Sequence, residues 1–319
     1  MADWLLILGG LVTLIAGAEL LVHGAVRIAL ALGISKLMVG LTIVAIGTSA
    51  PELVVGVVDV LKVDSSGHVG AIALGTVFGS NVANIGLILG LTALVRPIPT
   101  TESKLRFEAA WLVLASVLCM KPLIQTGQGR YSHSDGAVLC VLVLVFTLML
   151  VQRERRKDPD DTPRNPDRNT TRTIFNVALV VFGLVGLTYG GQWLISGARG
   201  AALSLGMPDS LIGATIVAVG TSLPELATAV VAARRGHPEL AVGNIVGSNI
   251  FNIGMVLGVC AMVRPLPVTP EHGLRMFTGL FLALVLGFVL MRRTKISRRT
   301  GGILLVCYLG YLTAEVARL

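Results

Sequence analysis

The chain has 319 residues, 54% of them hydrophobic and 14% charged, with a mean hydropathy of +0.80. A soluble domain is about one quarter charged, so this composition excludes a pair of soluble domains and places most of the surface in lipid. The formal charge of +8 sits in loops between apolar runs, where basic residues set membrane topology, and no nucleic-acid partner is expected.

Apolar windows long enough to cross a bilayer predict ten spans, near residues 4–23, 37–61, 69–95, 107–125, 135–151, 173–196, 210–233, 238–263, 273–291 and 302–316. The chain opens Met-Ala-Asp-Trp, with no basic stretch before the apolar run, so the start reads as the first membrane helix rather than a cleavable signal. Aromatic residues are few (5%) and glycines many (37), a composition suited to helices that pack backbone to backbone. Cys119, Cys140, Cys260 and Cys307 stand singly, which predicts packing residues and neither a zinc site nor a disulfide framework.

One stretch, QRERRKDPDDTPRNPDRNTTR at 152–172, is charged, proline-bearing and without large apolar residues, and is expected to be a linker. It divides the chain into 1–151 and 173–319, five spans each. The two halves repeat one another. GLTIVAIGTSAPEL (40–53) and GATIVAVGTSLPEL (213–226) share eleven of fourteen residues, and GTVFGSNVANIGLILG (75–90) and GNIVGSNIFNIGMVLG (243–258) share nine of sixteen. VRPIP (95–99) then answers VRPLP (263–267). Five is an odd number of crossings, so the second copy must be inverted, an arrangement found in secondary transporters with a central site. The fold class expected is therefore all-α and polytopic, ten transmembrane helices as two inverted five-helix repeats with broken helices at the centre. With the linker in the cytoplasm and both termini outside, cytoplasmic loops hold 19 of the 26 Lys and Arg residues, the bias expected of an inner face.

Acids deep in a span are costly and mark function by default. Two recur at equivalent depth: Glu52 and Glu225, each closing the string Gly-Thr-Ser-x-Pro-Glu. Pro51 and Pro224 cannot donate a backbone hydrogen bond, and Gly47 and Gly220 loosen the helix before them. Thr48, Ser49, Thr221 and Ser222 bring hydroxyl oxygens. The third and eighth spans add Gly-Ser-Asn-x-x-Asn, placing Ser80 and Asn84, and Ser248 and Asn252, one turn apart on one face. Asn81 and Asn249 sit off that face and are expected to meet helix neighbours. All these donors are hard oxygens, which favours Ca²⁺, Mg²⁺ or Na⁺ over zinc, copper or iron. Glu19, whose repeat partner is Gln192, is read either as lining an ion path or as locally paired. Asp59 is expected at a solvated mouth. The small-residue runs Gly24-Ala25 and Gly197-Ala198 are packing faces that could also serve as tracks for sliding helices.

These paired motifs resemble the two alpha repeats of the calcium/cation antiporter superfamily, in particular the compact prokaryotic sodium/calcium exchangers, over nearly the whole chain. The resemblance implies an antiporter, not an enzyme, exchanging Ca²⁺ for Na⁺ at one central site by alternating access. Glu52, Glu225, Asn84, Asn252, Thr48, Ser49, Thr221, Ser222, Ser80 and Ser248 would ligate the ions, joined by the carbonyls of Ala45 and Ala218. The first and sixth spans would slide across the rest. No cofactor is implied beyond the transported cations, and the partners are those cations and the bilayer of a prokaryotic plasma membrane, a monomer being compatible. The proton-coupled branch tends to carry Gly-Asn-Ala-x-Glu and lacks Gly-Ser-Asn-x-x-Asn, which leans this chain toward sodium. Some sodium/calcium exchangers carry Asp where this chain has Asn252, which leaves H⁺ or K⁺ coupling as the alternative. A cation channel is the more distant one.

Overall fold

The apolar runs form helices, and glycine decides how closely these pack. The computed structural model describes residues 2–62, 70–99, 105–124, 129–155, 170–207, 218–292 and 295–317. Residues 156–169 of the predicted linker and 210–217 of the seventh predicted span lie outside the described residues.

The first helix, α1 (Ala2–Leu32), runs nine residues past its predicted end. The second predicted span is interrupted: α2 (Lys36–Val39), a π-turn over Gly40–Val44, α3 (Ala45–Thr48), then α4 (Ala50–Leu61). The third is α5 (Ala71–Ala83), a π-turn over Asn84–Ile88, and α6 (Leu89–Val95). After a short strand, β1 (Ile98–Pro99), α7 (Arg106–Leu118) stops before the end expected at 125. Pro122 lies in the tight turn that follows, over Lys121–Ile124, and its ring cannot continue an α-helix. Strand β2 (Arg130–Tyr131) leads into α8 (His133–Arg155), and α9 spans Thr170–Ser204, so the helices take up both ends of the predicted linker.

The second half continues with α10 (Ala218–Gly220), α11 (Leu223–Arg234), α12 (Pro238–Phe251), a π-turn over Asn252–Leu257 and α13 (Gly258–Val263). Strand β3 (Leu266–Pro267), α14 (Pro270–Arg292), strand β4 (Lys295–Ile296) and α15 (Arg298–Val316) complete it. Six helical stretches among the described residues are long and apolar enough to cross a membrane: Ala2–Leu32, Lys36–Leu61, Ala71–Val95, His133–Arg155, Arg172–Ser204 and Pro238–Val263. The last is 83% buried and Ala71–Val95 is 72% buried, against 33% for α1, so those two stretches form the centre. On α1 the side chains of Trp4, Leu5, Leu8 and Val12 project outward, as a lipid-facing surface requires.

Contacts between the halves repeat. Gly86 faces Tyr308 of α15 and its counterpart Gly254 faces Val143 of α8; Gly90 meets Gly301 and Gly258 meets Gly136. Strand β1 pairs antiparallel with β4, and β3, its repeat counterpart, with β2. Helices α1 and α9 run antiparallel along their length: Gly10 abuts Leu194, Gly17 abuts Leu187 and Gly24 abuts Asn176.

Polar groups at the helix ends are satisfied locally. Asp59 accepts the Ala73 N–H at 3.0 Å, tying the end of α4 to the first turn of α5. It is a partly buried cap, which corrects the expectation of a solvated mouth residue. The Ser35 N–H donates to Glu154 at 2.5 Å, fastening the start of α2 to the end of α8. Between α11 and α12, Lys36 Nζ donates to His237 Nδ1 at 3.0 Å and lies 3.5 Å from Glu239. Lysine has only donors, so this His237 nitrogen is the unprotonated acceptor.

Burial, then the Lys36 charge, push the His237 pKa below its ordinary value; Glu239 acts the other way and Arg96 adds to the lowering. The folded state thus prefers neutral His237. As pH falls below about 6.5 the unfolded chain takes up the proton first, and stability declines as pH falls through the lowered folded value. Thermal unfolding in detergent should therefore show a melting temperature that drops between pH 7 and 5. His237→Gln should flatten that decline; an unchanged slope would contradict this.

Candidate functional site

The two Gly-Thr-Ser-x-Pro-Glu strings produce the same break. Helix α3 ends at Thr48, Ser49 takes φ −85°, ψ 2°, and α4 restarts with Pro51 in its first turn. In the other half α10 ends at Gly220, Ser222 takes φ −92°, ψ 8°, and α11 restarts with Pro224. Proline suits a first helical turn, where its missing N–H is not needed. Glu52 and Glu225 thereby fall in the first turns of α4 and α11, where the free N–H groups and helix dipole favour a carboxylate.

The breaks face each other across the halves. The Ser49 hydroxyl donates to Glu225 Oε1 at 3.4 Å, and Thr48 Oγ1 donates to Asn244 Oδ1 at 3.2 Å. Glu52, Glu225, Asn84 and Asn252 are each 1% exposed, and Thr48, Ser49, Ser80, Ser222 and Ser248 are equally enclosed. Eight of their oxygens have no hydrogen-bond partner: both of Glu52, Oε2 of Glu225, Oγ of Ser80, Ser222 and Ser248, and Oδ1 of Asn84 and Asn252. Buried polar atoms are nearly always paired, so this set of unpaired oxygens, three of them on the two carboxylates, is suited to a positive ligand. A hard cation fits that donor set.

The Ala45 carbonyl accepts the Ser49 N–H at 3.0 Å and Thr48 Oγ1 at 3.5 Å. The carbonyls left without a helical bond by the prolines are those of Gly47 and Gly220, four residues before each. Ala218 opens α10, and Thr221 is only partly buried, unlike its counterpart Thr48. Glu19 pairs with Arg235 at 2.8 Å at a partly exposed position, where both line a cavity with His23, Arg27 and His237.

One buried residue escaped the sequence reading. Asn244, fully enclosed beside Thr48, has an Nδ2 without a partner. Its repeat counterpart is Thr76, so a search for recurring residues passes over it. Its place one turn before Ser248 on α12 was the available signal.

The profile of the sodium/calcium exchanger protein family matches residues 2–152 and 175–316. The CaxA protein of Alkalimonas amylolytica is 36% identical, the alignment spanning 96% of each chain. Sodium/calcium exchanger MaX1 of Methanosarcina acetivorans is 31% identical across 97% of each. The solved sodium/calcium exchanger from Methanococcus jannaschii superposes with a TM-score of 0.81 at 30% identity, covering 98% of both chains. With a broken-helix pair of buried glutamates at its centre, this integral membrane chain belongs to the sodium/calcium exchanger family of the calcium/cation antiporters.

Proposed function

We propose that the chain is a secondary active antiporter that exchanges Ca²⁺ for Na⁺, the two ions competing for one central all-oxygen site. Glu52 and Glu225 supply the charge. Thr48, Ser49, Ser80, Asn84, Thr221, Ser222, Ser248 and Asn252 supply neutral oxygens, with the Ala45 and Ala218 carbonyls at the margin. The observation carrying this reading is the set of eight unpaired buried oxygens, three on the two enclosed carboxylates and five on neutral side chains. Two ionised carboxylates balance one Ca²⁺ or two Na⁺. Without an ion they would leave two like charges in a low-dielectric setting, which is costly, so the empty carrier resists switching sides. Obligate exchange follows.

The architecture we infer is ten transmembrane helices in two inverted five-helix repeats (1–151 and 173–319), with the 152–172 linker inside the cell and both termini outside. The antiparallel run of α1 against α9, the first helices of the two repeats, supports the inversion. So do the equivalent strand pairs, each joining loops that this topology puts on one side of the membrane. Alternating access would then move α1 and α9 past the central helices.

Radioactive Ca²⁺ uptake into proteoliposomes of the purified protein tests the reading. Uptake driven by an outward Na⁺ gradient is expected. Uptake driven only by an outward H⁺ or K⁺ gradient would replace Na⁺ as the coupling ion, and Ca²⁺ flux without any counter-ion would indicate a channel.

A further inference from the structure

The two halves are alike in sequence at Gly-Ser-Asn-x-x-Asn but not in hydrogen bonding. Asn81, nearly buried on α5, donates from Nδ2 to the main-chain carbonyl of Asn249 at 3.2 Å. Its Oδ1 accepts Nδ2 of Asn252 at 3.1 Å. The Oδ1 of Asn252 is left without a protein partner. In the other half Asn249, the repeat counterpart of Asn81, donates to Ile245 of its own helix at 2.7 Å. Both amide atoms of Asn84, the counterpart of Asn252, have no partner.

A chain of forced choices runs through the first set. A main-chain carbonyl only accepts, so Asn81 must turn its NH₂ toward Asn249. That leaves the Asn81 oxygen facing Asn252, which can answer only with its own NH₂. The Asn252 oxygen is thereby turned away from Asn81. An unpinned amide of nearly the same shape could offer NH₂ to a cation instead, a repulsive contact. The π-turn beginning at Asn252 loosens the helical ladder at this point, where the Asn249 carbonyl takes the side-chain donor.

We propose that Asn81 is a positioning residue that fixes the Asn252 amide with its oxygen, not its nitrogen, toward the transported ion, while Asn84 is free to turn. The proposal rests on the ion site inferred above. It explains how a neutral amide at 252 serves as a ligand: orientation is supplied by a third residue outside the ion's reach. It also makes the site unequal, with one preset and one adjustable amide.

The test is Ca²⁺ uptake into Na⁺-loaded proteoliposomes over a range of Ca²⁺ concentrations. Loss of one orienting hydrogen bond corresponds to roughly a fivefold effect. N81A should raise KM for Ca²⁺ about fivefold and leave the maximal rate within about twofold. N249A, the repeat-equivalent change at similar burial, should leave both within about twofold. In an N252A background, which has no amide to orient, N81A should add nothing further. Equal effects of N81A and N249A, or a full N81A effect in the N252A background, would overturn the proposal. If N81A is not monodisperse in detergent, N81S takes its place with the same criteria. A wild type that takes up no Ca²⁺ under any gradient defeats the proposed exchange instead. The same variants are then ranked by the Na⁺ concentration that protects each from thermal unfolding: weaker protection of N81A but not N249A supports the positioning role, and equal protection overturns it.

Discussion

Glu52→Gln and Glu225→Gln should each assemble normally and lose about 100-fold or more of Ca²⁺ transport, with thermal stability in ion-free detergent rising rather than falling. The direction follows from the surroundings of the two groups. Neither oxygen of Glu52 has a hydrogen-bond partner, so an amide of the same shape breaks no existing contact. Glu225 accepts from Ser49, and Gln retains an acceptor there. Each change removes one of two buried negative charges, and burial of unpaired charge is the larger cost in the ion-free fold. The same charge is what a divalent ion needs: at an effective dielectric near 20, one carboxylate a few ångströms from Ca²⁺ contributes several kcal/mol, more than enough for a 100-fold loss. Ca²⁺ should consequently raise the melting temperature of wild type and not of either variant. Wild-type flux in both variants would remove Glu52 and Glu225 from the site. Parallel loss of flux and stability would make them structural acids.

Much of this arrangement is legible in the residues. Proline after Gly-Thr-Ser can end in only a few ways inside an apolar span, so the breaks at Ser49 and Ser222 and the placing of glutamate at a helix start follow from local chemistry. Recurrence then picks out Ser80, Asn84, Ser248 and Asn252, all of which the fold encloses. What recurrence cannot find is asymmetry. Asn244 is matched by Thr76 and therefore passes unnoticed, although it bonds to Thr48 across the halves. The Asn81–Asn252 bond has no counterpart in the other half, since Asn249 turns back onto its own helix. The π-turns at 40–44, 84–88 and 252–257 leave no mark because their flanking residues keep ordinary helical dihedrals. Hydropathy also understates helix length: α1 continues through His23 and Arg27, whose side chains are exposed.

Bulky replacement of glycines on the α1–α9 seam should have the second large effect. Gly10, Gly17 and Gly24 on α1 recur every seven residues, as do Gly183, Gly190 and Gly197 on α9. The two rows bring the backbones together. A Cβ at Gly17 would lie 2.7 Å from the Leu187 nitrogen, at Gly190 2.5 Å from the Leu14 nitrogen, and at Gly183 2.6 Å from the Leu21 nitrogen. The opposing atoms are backbone, so no side chain can turn aside, and the helices must separate. Separation forfeits close packing along a seam that lipid replaces without hydrophobic gain, because association in a bilayer depends on contact and not on escape from water. Gly17→Val and Gly190→Val should each destabilise the protein by about 1–3 kcal/mol and largely abolish transport. Gly9→Val is the control: a Cβ there meets nothing within 4 Å, so stability and flux should stay near wild type. Gly17→Ala adds the same Cβ and should lower stability and transport together. If α1 and α9 move as one body, as the proposed exchange implies, a disulfide cross-link between them placed away from the glycine contacts should leave Ca²⁺ uptake intact. Loss of uptake on cross-linking, restored by reduction, would show instead that the two helices slide along each other.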